Sequence, residues 1–133
     1  MDNIYAGLGH IAVNTDDMAA SIAFYEKIGG RLLAEDKIEK PEGTLLLALV
    51  DIGGVTVELL QHPDKRPLTA GAIPHFALMV HDVDKAAATI KAAGVDTFKT
   101  PEKAVCPDTF SGLDNWFFVG PSGEEIELLK MYK

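Results

Sequence analysis

The sequence predicts an α+β fold of two tandem βαβββ modules, whose strands form a curved, cleft-like mixed sheet with helices on its outer face. Three observations predict it: an internal repeat, apolar alternation at strand period around two helix-like runs, and turn residues spaced between the strand-like stretches. The first half reads His10-Ile-Ala-Val, then a helix-like run to Gly29-Gly30, then Val57-Glu58-Leu59-Leu60. The second reads His75-Phe-Ala-Leu, a helix-like run to Gly94, then Ile126-Glu127-Leu128-Leu129. The histidines are 65 positions apart and the glutamates 69, and the extra residues fit the loop around Pro101 to Leu113. Two copies of so long a unit describe a duplicated module, not a solenoid array.

The elements follow in order. Residues 8–14 alternate as a strand, Asp16 or Asp17 caps a helix from Met18 to Ile28, and Gly29-Gly30 stops it. Strands over 31–38, 44–51 and 54–61 are separated by Pro41-Glu-Gly43 and Gly53-Gly54. The second module opens with a strand at 73–80 and a helix from Lys85 to Ala93, capped by Asp82 or Asp84 and ended by Gly94. Strands at 95–99, 114–120 and 124–131 complete it, with Pro121-Ser-Gly123 at the last turn. The chain is expected to be one domain over 1–133, with module 1 at 6–61, a Pro-bearing linker at 62–72 and module 2 at 73–133.

Apolar residues make up 47% and charged residues 24% of the 133, the balance of an ordinary soluble protein able to bury a core. The net charge of −8 repels phosphate backbones and excludes nucleic acid as an expected partner. The longest apolar run, Leu45 to Val50, is too short to span a bilayer, and MDNIYAG lacks the basic start of a signal peptide. Cys106 is the single cysteine, so no internal disulfide forms. A cytoplasmic protein with a small-molecule substrate is expected.

Strand side chains alternate between faces. His10, Ala12 and Asn14 share one face opposite Ile11 and Val13; His75, Ala77 and Met79 share one opposite Phe76, Leu78 and Val80. The bulky faces meet the helices, so the histidines point to the concave side, each with a small alanine beside it. Glu58 lies with Thr56 and Leu60, and Glu127 with Glu125 and Leu129. A carboxylate amid Val-Thr-Val-Glu-Leu-Leu costs several kcal/mol to desolvate unpaired. A metal ion removes that penalty, and two imidazoles with two carboxylates suit a first-row dication. A lone strand histidine or glutamate is usually structural or solvated, but both residues occur at corresponding places in both repeats. His10, Glu58, His75 and Glu127 are therefore the candidate metal ligands.

Other residues carry weaker signals. His62 reads as a solvated linker residue, His81 as local capping, Cys106 as an unactivated loop thiol, and Glu124 and Glu125 as exposed. Tyr5, Phe110, Trp116 and Phe118 are candidates to line a pocket, against the alternative that aromatics beside strands pack in the core. No phosphate-binding glycine loop or serine elbow is present.

At Gly9-His10-Ile-Ala-Val13, Ser21-Ile-Ala-Phe-Tyr25, Pro74-His75-Phe-Ala-Leu78, His81-Asp-Val-Asp84 and Phe117-Phe-Val-Gly-Pro-Ser-Gly-Glu-Glu-Ile-Glu-Leu-Leu129 the chain resembles the vicinal oxygen chelate (glyoxalase-like) superfamily. Gly120 stands where that family's final motif usually has a non-ligating aspartate, a departure expected to matter little. The His, Glu, His, Glu order, with separations of 48, 17 and 52, resembles lactoylglutathione lyase (glyoxalase I). The resemblance implies one divalent ion (nickel, cobalt, zinc or manganese) and a homodimer whose site draws on one chain or both. It implies a lyase or isomerase acting on substrates with two adjacent oxygens through an enediolate, with Glu127 or Glu58 as proton shuttle. Epimerisation of an acyl-CoA-like or sugar-derived substrate would use the same ligands; a ring-cleaving dioxygenase and a metal-free binding protein are further alternatives. Arg31 and Arg66 are the only arginines, a thin supply for the carboxylates of glutathione.

Overall fold

The computed structural model describes residues 8–64, 73 and 75–133, and Tyr5, Arg66, Pro74 and the linker from 65 to 72 lie outside them. The expected βαβββ order occurs twice. The first module contains β1 (Ile11–Asn14), α1 (Met18–Lys27), β2 (Arg31–Lys40), β3 (Gly43–Ile52) and β4 (Val55–Gln61). The second contains β5 (His75–Met79), α2 (Val83–Ala92), β6 (Ala104–Cys106), β7 (Leu113–Val119) and β8 (Glu125–Met131). Each module forms its own four-stranded mixed sheet, ordered β1-β4-β3-β2 and β5-β8-β7-β6. In both, the first strand pairs in parallel with the last, because the intervening helix carries the chain back across the sheet.

Helix starts and stops follow local chemistry. Asp17 accepts from the Ala20 amide at 3.0 Å and Asp82 from the Lys85 amide at 3.0 Å, settling which aspartate caps each helix. Gly29, at φ 101°, ends α1 in the left-handed region that favours glycine. Gly30 then lets the chain press against the helix: its amide donates to the Tyr25 carbonyl at 2.7 Å, and a Cβ there would sit 2.7 Å from that oxygen.

The expected strand at 95–99 does not form. Phe98 makes only an isolated bridge to Phe118, supported by Lys99 N–H to Phe117 C=O and Val119 N–H to Thr97 C=O. Pro101 has no N–H to continue a ladder. The Thr100 carbonyl turns aside to accept from the Trp116 indole at 3.1 Å. The outer edge of β7 is thus covered in two pieces, first by 97–99 and then by β6, which places Cys106 in a strand and not a loop.

One hydrophobic cluster draws on both modules. Val13, Tyr25, Val50, Val57 and Leu59 join Phe76, Leu78, Val83, Ile90, Trp116, Phe118, Ile126 and Leu128 in it. Phe24 of α1 packs against Phe118 of β7, with centroids 6.4 Å apart. Each such side chain contributes about 1.5–3 kcal/mol on burial. The inner faces of both sheets therefore look toward a shared core. The faces bearing His10 and Glu58, and His75 and Glu127, are turned away from it.

A polar clasp also joins the modules. The fully buried Tyr25 donates its hydroxyl to Glu124 at 2.9 Å, and the Ser122 amide donates to the other carboxylate oxygen at 2.8 Å. Glu124, expected to be exposed, is instead folded back over Gly120, where any Cβ would collide with its carboxyl. The departure from aspartate at this position therefore has a consequence: glycine makes the clasp sterically feasible. Burial raises the Glu124 carboxyl above its ordinary value, against the opposing pull of the Glu124 and Ser122 amides and the Tyr25 hydroxyl. A raised folded-state value means stability that is present below the unfolded carboxylate range and is lost as pH rises through the folded value. Glu124→Gln removes this titration. Melting temperatures measured across mildly acidic to neutral pH are expected to show wild type losing ground to the variant as pH rises; parallel curves would contradict the assignment.

Candidate metal centre

The duplicated sequence produces duplicated geometry. In β1/β4 the register sets Ala12 opposite Glu58, and in β5/β8 it sets Ala77 opposite Glu127. Each histidine lies two residues before its alanine, on the same face. His10 Nε2 is 3.3 Å from Glu58 Oε1, and His75 Nε2 is 3.3 Å from Glu127 Oε1. The structure thus brings the predicted ligands together two and two. No group of three or more His, Cys, Asp or Glu side chains placed to hold an ion occurs among the described residues. The hydrophobic cluster that draws on both modules lies on the face of each sheet opposite its histidine–glutamate pair.

The two pairs differ in their surroundings. The Glu58 side chain is 20% exposed and that of Glu127 11%. Asn115 Nδ2 donates to Glu127 Oε2 at 2.9 Å. Phe117 stands directly across from Glu127 and meets the His75 ring edge-on, with centroids 5.0 Å apart and planes at 89°. Neither Asn115 nor Phe117 stands out from the sequence. The available signal was parity: with Trp116 and Phe118 in the core, Asn115 and Phe117 share the face of Glu127.

The expected pocket aromatics are corrected on the same ground. Trp116 and Phe118 are 7% and 0% exposed and belong to the core. Phe110 projects from the turn before β7, 80% exposed and at φ 47°. Glu125 is half-buried and paired with Lys99. His62 is half-buried beside a small recess shared with Asp16, Thr44 and Gln61, while His81 is exposed. Arg31 begins β2, opposite Asp51.

The comparisons agree with this architecture. The uncharacterized protein YwbC of Bacillus subtilis (strain 168) is 30% identical over 127 residues, covering 92% of this chain and 96% of that protein. A glyoxalase family protein from Enterococcus faecalis superposes with a TM-score of 0.74 at 22% identity, covering 96% of this chain and 99% of the other. A glyoxalase I mutant from Zea mays superposes with a TM-score of 0.72 at 23% identity, covering 93% of this chain and 44% of the other. No helix among the described residues is long and apolar enough to cross a membrane. The model of the Glyoxalase/Bleomycin resistance protein/Dioxygenase superfamily matches residues 7–128, and with its paired βαβββ modules the chain belongs to that superfamily.

Proposed function

We propose that the protein is a divalent-metal-dependent lyase or isomerase of the glyoxalase I type, and that two copies of the chain build each site. The observation that carries this reading is the repeated histidine–glutamate pair at equivalent register in both sheets. The donors fit a metal. Imidazole nitrogens and carboxylate oxygens suit a borderline dication. Adjacent ligands on an ion with bonds of about 2.1 Å stand roughly 3 Å apart, close to the 3.3 Å within each pair. His10 and Glu58 of one chain with His75 and Glu127 of a second would hold nickel, cobalt, zinc or manganese.

A homodimer is supported by the divided half-sites and by β1 and β5, which end their sheets with no further strand paired to them among the described residues. Leu8, Ile73 and Met79, beside those edges, are 76%, 76% and 64% exposed. A second copy laying one ligand face over the other would cover edge and apolar side chains together.

When bound, a dication supplies Lewis acidity to two neighbouring oxygens of a substrate. The chain's part is proton transfer. A glutamate, Glu127 in the more enclosed half-site, accepts a carbon-bound proton beside one of those oxygens and returns it. Return to the neighbouring carbon of a hemithioacetal yields an α-hydroxy thioester. In an acyl thioester, removal of the proton by one glutamate and delivery of a proton to the opposite face of the same carbon by the other would invert that centre.

Metal analysis of purified protein and turnover on a panel of hemithioacetals and acyl-CoA thioesters test the reading. One nickel, cobalt, zinc or manganese ion per chain, with turnover lost to a chelator, is expected. Iron with oxygen-dependent turnover would point to a dioxygenase. Failure to bind any dication would leave a metal-free binding protein.

A further inference from the structure

The two half-sites are alike in their ligands but not in what holds those ligands. Asn115 pairs with Leu129 across β7/β8, two residues beyond Glu127 and on its face. The equivalent residue of the first module is Leu47, which pairs with Leu60, two residues beyond Glu58. Phe117, opposite Glu127, likewise corresponds to Leu49, opposite Glu58. Leucine offers no donor. Among the described residues His10 is the only polar partner of Glu58, and no side chain donates to its second carboxylate oxygen. Glu127 is held at both oxygens: Oε2 accepts from Asn115 at 2.9 Å while Oε1 is turned to His75 at 3.3 Å. The edge of Phe117 restrains the His75 ring at the same time.

We propose that Asn115 is a positioning residue that fixes Glu127 for the metal, so that the His75–Glu127 half-site is the preorganised one that takes up the ion first. The proposal rests on the metal reading above. A carboxylate already held in one rotamer loses little freedom on binding an ion, whereas Glu58 must be ordered at that moment. The His10–Glu58 pair then completes coordination from the second copy. The duplication thus left one docking half and one closing half, distinguished by a single polar-for-apolar difference at positions 47 and 115.

The test measures nickel(II) and manganese(II) affinity by titration calorimetry on the full chain. Asn115→Leu copies what the protein already carries at position 47, and Asn115→Ser keeps a hydroxyl too short to reach Glu127. Both are expected to weaken affinity about ten- to a hundredfold, the usual effect of removing a group that orients a ligand. Asn115→Gln, which keeps the amide, is expected to recover part of that loss. A merely structural asparagine would lower the melting temperature of metal-free protein and leave the affinity unchanged. The half-sites are then compared alone. His10→Ala/Glu58→Ala, which keeps the Asn115 half, is expected to bind nickel more tightly than His75→Ala/Glu127→Ala. Equal affinities of those two double variants, or a wild-type affinity in Asn115→Leu and Asn115→Ser, would overturn the proposal and leave the metal reading standing. A wild-type chain that takes up neither ion would overturn both.

Discussion

Two variants that each fail to bind metal tightly are expected to recover tight binding when mixed. One variant is His10→Ala/Glu58→Ala and the other His75→Ala/Glu127→Ala. Each homodimer then has only half of every site. If sites form across two copies, a mixed dimer joins the intact His75–Glu127 half of the first chain to the intact His10–Glu58 half of the second. Its other site lacks all four ligands. Random exchange of subunits makes about half of the dimers mixed, so about a quarter of all sites should be whole. Nickel retained through a desalting column, and turnover in proportion to it, are the readouts. The effect is large because halving the ligand set removes two metal bonds per site. If each site formed within one chain, mixing would restore nothing. The motivation is that the structure groups the four residues two and two, His10 with Glu58 and His75 with Glu127, with no larger group among the described residues. Sedimentation showing only monomer at micromolar concentration would argue against the same assembly.

Glu127→Gln is expected to lower turnover by at least about a hundredfold, the low end for general base catalysis. The amide keeps the shape of the side chain and one oxygen toward its neighbours, but it cannot carry the proton. Ile126 and Leu128, at 0% and 2% exposure, pin the backbone on either side, so the change stays local to the carboxylate. With its side chain 11% exposed, Glu127 would pass a proton in a site largely closed to water. Glu58→Gln is expected to cost less turnover at saturating metal if the more open Glu58 serves chiefly as a ligand. The comparison is made on the panel substrate that wild type turns over fastest, with metal content measured on the same samples. A Glu127→Gln protein with full metal content and near-normal turnover would remove Glu127 from the proton-shuttling role.

Much of this protein was legible in its sequence because the information is local and was written twice. Period-two alternation places His10, Glu58, His75 and Glu127 on the faces opposite Val13, Val57, Phe76 and Ile126 whatever else the chain does. Asp17 and Asp82 cap by contacts three residues away, and glycines stop both helices by conformation alone. Where the reading failed, a distant partner decided. The 97–99 segment has strand composition, yet Pro101 and the pull of the Trp116 indole on Thr100 break the ladder. Glu124 looks like an exposed turn residue until Tyr25, 99 positions away, offers its hydroxyl.

The sequence by itself determined the two modules, their order and the strand faces on which His10, Glu58, His75 and Glu127 lie, since these depend on spacing along the backbone. Only the tertiary structure decided that one hydrophobic cluster draws on both modules and that the histidines and glutamates meet two and two. It alone decided that Asn115 reaches Glu127 while Leu47, at the matching place, offers Glu58 no donor. Those outcomes depend on which surfaces bury against each other and on cross-strand register, and neither is encoded at any single stretch of the chain.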